Sequence, residues 1–236
     1  MALRLGSVRD LERTELHLAS PATDSGRTVA RILLEIGAVH FRPADPFRLT
    51  SGRLSPVYID CRRIIGFPRA RRRIVDLAVE RIETAIGFER IAVVAGGETA
   101  GIPFAAWIAE RLGLPMVYIR KKPKGFGRGA QIEGHWRDGD AMLLIEDLAT
   151  DGGSKIGFIE AMRAAGAKVE HALVVFHYGI FSAAERLAVL GVTLHGLATW
   201  WDVVAEAEAS RALAGSELDA VRRFLAAPET WSPAAV

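Results

Sequence analysis

Cysteine is almost absent: Cys61 stands alone among 236 residues, so no disulfide can form within the chain. A single thiol suits a reducing compartment. A charge excess of one sign is also missing. Thirty Lys and Arg against 28 Asp and Glu leave a formal +2, too little to mark a nucleic-acid binder, so any basic function must come from local clustering. No apolar run reaches membrane-spanning length, and Met1 to Leu18 mixes charges among its apolar residues without a secretory core. The expected location is the cytoplasm. His135, His171 and His195 are scattered singly, and no protein zinc site is expected from them. Two phosphate motifs are lacking too. Ser154 precedes Lys155, the reverse of P-loop order, and no Gly-x-Gly-x-x-Gly follows a strand in a dinucleotide-binding context.

What is present is enough apolar material for a full core. Half the residues are hydrophobic and a quarter charged, which excludes intrinsic disorder and suits one α/β domain with appendages. Residues 1–25 read as a loosely specified arm. Val29, Ile32, Leu33 and Ile36 then follow at helical spacing, with Gly37 near the helix end. Phe47 to Cys61 carries turn signals around a β-prone Val57-Tyr58-Ile59. A second helix starts at Pro68, with Ile74, Leu77, Ala78, Ile82, Ala85 and Ile86 on one stripe.

Beyond it, apolar runs at Ile91–Ala95, Met116–Ile119, Ala141–Ile145, Ala172–Phe176 and Val192–Leu197 predict strands. Helical stretches at Ile102–Leu112, Ser154–Ala165 and Ser182–Leu190 separate several of them. Strands this apolar throughout belong in a sheet covered on both faces, and the alternation predicts a mainly parallel one. The connection from Ile119 to Ala141 is the exception. It is long, glycine-rich, basic and without helical pattern, as a loop with a job would be.

The segment Leu143-Leu144-Ile145-Glu146-Asp147-Leu148-Ala149-Thr150-Asp151-Gly152-Gly153-Ser154 reads as a strand, two carboxylates, a glycine turn and a helix start. Ligands of parallel sheets bind beyond the carboxyl ends of the strands. A glycine turn at a helix start offers free N–H groups and positive potential to an anion, and Thr150 and Ser154 add hydroxyls. Two carboxylates before such a cradle suit the hydroxyls of a ribose whose 5′-phosphate sits in the loop. The bland alternative is a capped helix with Glu146 and Asp147 merely solvated.

This segment resembles the motif with which type I phosphoribosyltransferases bind phosphoribosyl pyrophosphate (PRPP). The resemblance implies an α/β fold with a mainly parallel sheet flanked by helices and a small N-terminal hood. It also implies that Glu146 and Asp147 hold the ribose hydroxyls, that Asp147 stabilises positive charge on the ribose, and that Leu148 to Ser154, through Ala149, Thr150, Asp151, Gly152 and Gly153, line the 5′-phosphate.

Three further segments resemble the orotate members of that superfamily, and the stretches 174–181 and 198–202 resemble a long-form bacterial branch of them. Phe47 to Asp60 contains Ser51-Gly52-Arg53-Leu54-Ser55-Pro56 before an aromatic strand. In the family this strand helps cover the base, which places Tyr58 and Ile59 along orotate, with Thr150 beside them. Gly97-Glu98-Thr99-Ala100, before Gly101-Ile102-Pro103, resembles the pyrophosphate loop, with Ala100 where several relatives carry lysine. Taken without the family, it is a tight strand-to-helix turn. Arg120-Lys121-Lys122-Pro123-Lys124, continuing to Ile132-Glu133-Gly134, resembles the basic catalytic loop.

By that likeness Arg120, Lys121 and Lys124 meet the diphosphate, Lys124 and Lys121 act in catalysis together with Asp147, and the loop serves a neighbouring subunit of a homodimer. Phe126 stands where many relatives have histidine. His177 and Tyr178 stand where relatives place an arginine for the orotate carboxylate, leaving Arg53 and backbone donors as candidates for that contact. Trp200 and Trp201 read as core or interface aromatics. Magnesium is expected to arrive with the diphosphate of PRPP. The implied division is an arm (1–25), hood and base-covering elements (26–66), a PRPP-binding core (67–205) and a helical tail (206–236). The implied activity is transfer of ribose 5-phosphate to orotate. A transferase for another base, or a PRPP-sensing regulator of the same fold, are the alternatives.

Overall fold

The structure, a computed structural model, describes residues 24–49, 52–124 and 131–232. Most of the arm, Thr50, Ser51, the loop segment 125–130 with Phe126, and residues 233–236 lie outside the described residues.

The described residues begin with α1 (Asp24–Glu35), whose Val29, Ala30 and Leu33 are buried, and the chain turns at Gly37. Two small antiparallel pairs follow. Strand β1 (Val39–Phe41) pairs with β4 (Val57–Ile59), and β2 (Phe47–Arg48) pairs with β3 (Leu54–Ser55). A 3₁₀ turn (Cys61–Gly66) leads to α2 (Pro68–Ala85), with proline in its first turn, where a missing N–H costs nothing. The core then runs β5 (Val93–Gly97), α3 (Gly101–Leu112), β6 (Met116–Ile119), β7 (Ile132–Glu133), β8 (Ala141–Ala149), α4 (Gly153–Ala164), β9 (Lys168–His177), α5 (Ala183–Val189) and β10 (Thr193–Thr199). It ends with α6 (Trp200–Ala209) and α7 (Gly215–Ala226).

Among the described residues the main sheet has six strands in the order β10-β9-β8-β5-β6-β7. All neighbours are parallel except β6 and β7. One face packs on α1, α2, α3, α6 and α7 through Leu143, Ile145, Leu173 and Val175. The other packs on α4 and α5 through Met142, Leu144, Phe158, Ile159 and Leu187. With both faces covered, the strands read as continuous apolar runs, which is why they were legible.

Several elements differ from the sequence expectation, each for a structural reason. Strand β5 runs from Val93 to Gly97, two residues later than its apolar run, because Gly96 and Gly97 still pair with Tyr118 and Ile119 of β6. The glycines expected in a loop are therefore the end of a strand. Strand β8 extends through both carboxylates to Ala149, since Glu146, Leu148 and Ala149 remain in register with Val174, Phe176 and His177 of β9. Ala85, expected on the buried stripe of α2, is exposed in its last turn. The Ile119–Ala141 connection, expected to be structureless, contributes β7 to the sheet edge.

Candidate active site

The carboxyl ends of β5, β6 and β8 bring together the segments singled out from the sequence. On β8, side chains alternate between the two faces of the sheet. Glu146 follows Leu144 toward α4, and its Oε2 lies 3.2 Å from Lys155 Nζ. Asp147 lies on the other side, within electrostatic reach of Arg62 and Cys61 in the 3₁₀ turn. Burial is the largest influence on both carboxyls and pushes each above its ordinary pKa. The ammonium of Lys155 pulls both back.

Two glycines, at the end of β5 and the start of α3, let Glu146 lie close, although the nearest neighbour of a Cβ on Gly101 would be Ile145 O at 2.4 Å. A Cβ on Gly97 would stand 2.4 Å from Glu146 Oε1 and 2.7 Å from the Phe158 ring, and one on Gly101 would stand 2.8 Å from the same oxygen. Between them the Glu98–Thr99 peptide is cis. Glu98 is tied to β6 and to the segment after it: its N–H donates to Ile119 O at 2.8 Å, and its Oε2 accepts from the Lys121 backbone N–H at 2.6 Å. Thr99 is exposed, and Ala100 sits immediately before α3.

After β8 the chain turns through Thr150, Asp151 and Gly152 into α4. Gly152 has φ +80°, a conformation that L side chains rarely adopt, and it packs against Ala183. The Lys155 and Ile156 N–H groups bond back to Gly152 O, while Gly153 N–H donates to Asp151 Oδ1. Asp151, Gly153 and Ser154 are exposed, so the start of α4 faces outward as an anion cradle would. Arg186 of α5 steadies the turn by donating to Asp151 O at 2.8 Å. Ala149 is fully buried, and its carbonyl accepts from Tyr178 N–H; Leu148 is half-buried.

The basic segment follows β6. Lys124 is ion-paired with Glu133 on β7, and Arg120 Nη1 lies 3.7 Å from the same carboxylate. Lys121 is exposed. Among the small antiparallel pairs, the alternation of β4 turns Tyr58 outward, between His40 (ring centroids 6.1 Å) and Phe47 (5.4 Å). Ile59 turns into the core at 2% exposure, so it can offer a base its backbone but not its side chain. Arg53 stacks over Phe181, 4.9 Å from the ring centroid, and is paired with Glu229 in the tail. Tyr178 is buried beside Trp200, which is itself fully buried; Trp201 is half-buried.

Residues 67–194 match the phosphoribosyl transferase domain model. An orotate phosphoribosyltransferase of Cereibacter sphaeroides is 54% identical over 215 residues, covering 91% of this chain and 93% of that protein. The chain belongs to the orotate phosphoribosyltransferase family. The family's namesake in Dinoroseobacter shibae is also 54% identical, over 89% of this chain and 94% of its own. Among solved structures, the orotate phosphoribosyltransferase of Aeropyrum pernix superposes with a TM-score of 0.67 at 35% identity, covering 79% of this chain and 99% of that one. The type I phosphoribosyltransferase fold expected from the Glu146–Ser154 segment is thus the fold of this family.

Lys155 was missed as a site residue. Its signal was available: with Phe158, Ile159 and Met162 it lies on the buried stripe of α4, and a lysine on such a stripe needs a buried carboxylate. Glu133, the resting partner of Lys124, and Arg62, facing Asp147, carried no such pattern.

Proposed function

We propose that this chain transfers the 5-phosphoribosyl group of PRPP to orotate, giving orotidine 5′-monophosphate and pyrophosphate, in the cytoplasm and as a step of pyrimidine synthesis. The observation that carries the reading is the convergence at one sheet edge of an acidic pair, an outward-facing helix start and a basic segment. The relatives named above support orotate as the base.

In this reading the N–H groups and hydroxyls from Thr150 to Ser154 take the 5′-phosphate, helped by the dipole of α4. Leu148 and Ala149 contribute only backbone. Glu146 and Asp147 accept from the ribose hydroxyls. Gly97, Glu98, Thr99 and Ala100 border the diphosphate, which Arg120, Lys121 and Lys124 neutralise. Tyr58, Thr150 and the Ile59 backbone flank orotate, with Arg53 offered to its carboxylate. The bond from the ribose anomeric carbon to the diphosphate oxygen breaks, and its electron pair leaves with the diphosphate. A ring nitrogen of orotate supplies the new pair and gives up its N–H proton to solvent. Asp147 faces the cationic sugar between these events, so electrostatics and positioning do the work without a covalent nucleophile.

Magnesium fits this site as a companion of the substrate. As a hard cation it is read as held by the diphosphate's own oxygens, with Glu146 and Asp147 kept for the ribose hydroxyls. Bound with the diphosphate, it would offset charge on the leaving group. The basic segment is read as serving the neighbouring subunit of a homodimer. Mixing inactive Lys124→Ala and Asp147→Asn proteins tests this, since activity returns only if sites are shared.

The deciding assay supplies purified protein with Mg²⁺, PRPP and orotate and follows loss of orotate absorbance, with adenine and other bases in parallel. Turnover of another base but not of orotate would move the assignment to a sister activity.

A further inference from the structure

Glu146 has little freedom. Its Oε1 is walled by Gly97 and Gly101, its Oε2 meets Lys155 at 3.2 Å, and the residue keeps 7% exposure. Lys155 keeps 3% and is the one buried cation among the described residues. An uncompensated buried charge neutralises itself by gaining or losing a proton. Each member of this pair therefore depends on the other for its charge, and Glu146 has Asp147 next to it as a second negative group.

We infer that Lys155 is a positioning residue for the sugar-binding acidic pair: its buried ammonium keeps Glu146 ionised and in one orientation, so that the carboxylate meets the ribose diol as an acceptor. The inference rests on the reading of this edge as a PRPP site. A Glu146 that took up a proton would offer the diol one acceptor fewer and a donor that it does not need. The other charges facing the pair are Asp147 on β8, Lys121 after β6 and His177 on β9. Arg62 faces Asp147, and Glu185 faces His177. Lys121 and Arg62 are exposed, so water screens them, and neither replaces an ammonium in direct contact.

The test is titration calorimetry of Mg–PRPP binding without orotate, from pH 6.5 to 9, on wild type, Lys155→Met, Glu146→Gln and the double variant. Affinities are read as ratios to wild type at each pH, so that the donor's own ionisation cancels. Lys155→Met is expected to bind about tenfold or more weakly at pH 6.5 and to recover as Glu146 ionises at higher pH, one pKa unit being a factor of ten. In the Glu146→Gln background, loss of Lys155 should add no more than about twofold, because the two act as a unit. In turnover, kcat/KM for PRPP should fall while KM for orotate stays put.

A loss of equal size at every pH, or equal in both backgrounds, would overturn the inference. If Lys155→Met does not fold, Lys155→Gln takes its place: its amide still donates to Glu146 but leaves the charge uncompensated, and the same pH recovery is required. Wild type that binds PRPP without consuming orotate removes the base assignment and leaves this inference to the binding arms. Wild type that binds no PRPP removes the site reading itself.

Discussion

Lys124 and Glu133, on opposite sides of residues 125–130, are held together as an ion pair. Lys124 holds the Glu133 carboxyl below its ordinary pKa, with Arg120 adding to the effect. The ammonium assigned to the leaving diphosphate is thus engaged at rest and must exchange one anion for another during the reaction. Lys124→Ala should lower kcat by about 10²- to 10³-fold, the size seen when one preorganised group stabilising transition-state charge is lost. Its melting temperature should move little, since the pair is only partly buried, with Lys124 47% and Glu133 30% exposed. Steady-state kinetics beside a thermal melt checks both, and near-normal kcat would remove Lys124 from the chemistry.

Gly97→Ala places a methyl group where Glu146 Oε1 and the Phe158 ring already stand. Something must move, and the polar end of Glu146 is the softer neighbour. The expected cost to stability is about 1–3 kcal/mol for such overpacking. The kcat/KM for PRPP should fall further than stability alone explains, with KM for orotate little changed. Urea unfolding and initial rates on the same preparation separate the two effects. Unchanged kcat/KM would mean that Glu146 has no part in holding the sugar.

Much of this site was legible in the sequence because its chemistry is contiguous. Glu146 to Ser154 spans one strand end, one turn and one helix start, so residue order marked it as a candidate and the family resemblance supplied the roles. The strands were legible for the same reason, being apolar along their whole buried length. Two things were not. The ends of β5 and β8 ran past their apolar runs, because ladder pairing with neighbouring strands, a non-local effect, decides where a strand stops. Partnerships such as Lys124 with Glu133 and Arg53 with Glu229 join residues distant in sequence, and the charge of a residue carries no record of its partner. Lys155 lay between these cases, since its place on an apolar helix stripe was readable and its carboxylate was nine residues away.

His195 Nε2 lies 3.2 Å from His171 Nδ1, across the neighbouring strands β10 and β9. One ring nitrogen donates and the other accepts, so the accepting ring must be neutral and the two cannot both be charged. Burial, then the neighbouring His171 and Arg81, push His195 down to about 4, and burial chiefly lowers His171 as well. Both folded-state pKa values lie below the ordinary 6.5 of the unfolded chain, so the unfolded state binds more protons as pH falls. Stability from this pair is full above about pH 6.5 and is lost progressively toward pH 4. Wild type should lose more melting temperature between pH 7 and pH 4.5 than His195→Gln, which removes the group of larger shift. Parallel pH dependences would show that other groups govern acid sensitivity.

Arg53 is held between the Phe181 ring and the Glu229 carboxylate of the tail. If the guanidinium receives the orotate carboxylate, Glu229 occupies in the free protein the place that the substrate's carboxylate takes in the complex. Removing that competitor should help. Glu229→Gln is expected to lower KM for orotate by about two- to fivefold, the range an exposed ion pair supports, with KM for PRPP unchanged. Arg53→Ala should raise KM for orotate by more than about tenfold, since a charge-assisted hydrogen bond to the substrate is lost. The two variants therefore move the same constant in opposite directions, which a structural role for the pair would not do. Were both to leave KM for orotate unaltered, recognition of the carboxylate would pass to backbone donors near Tyr58 and Thr150.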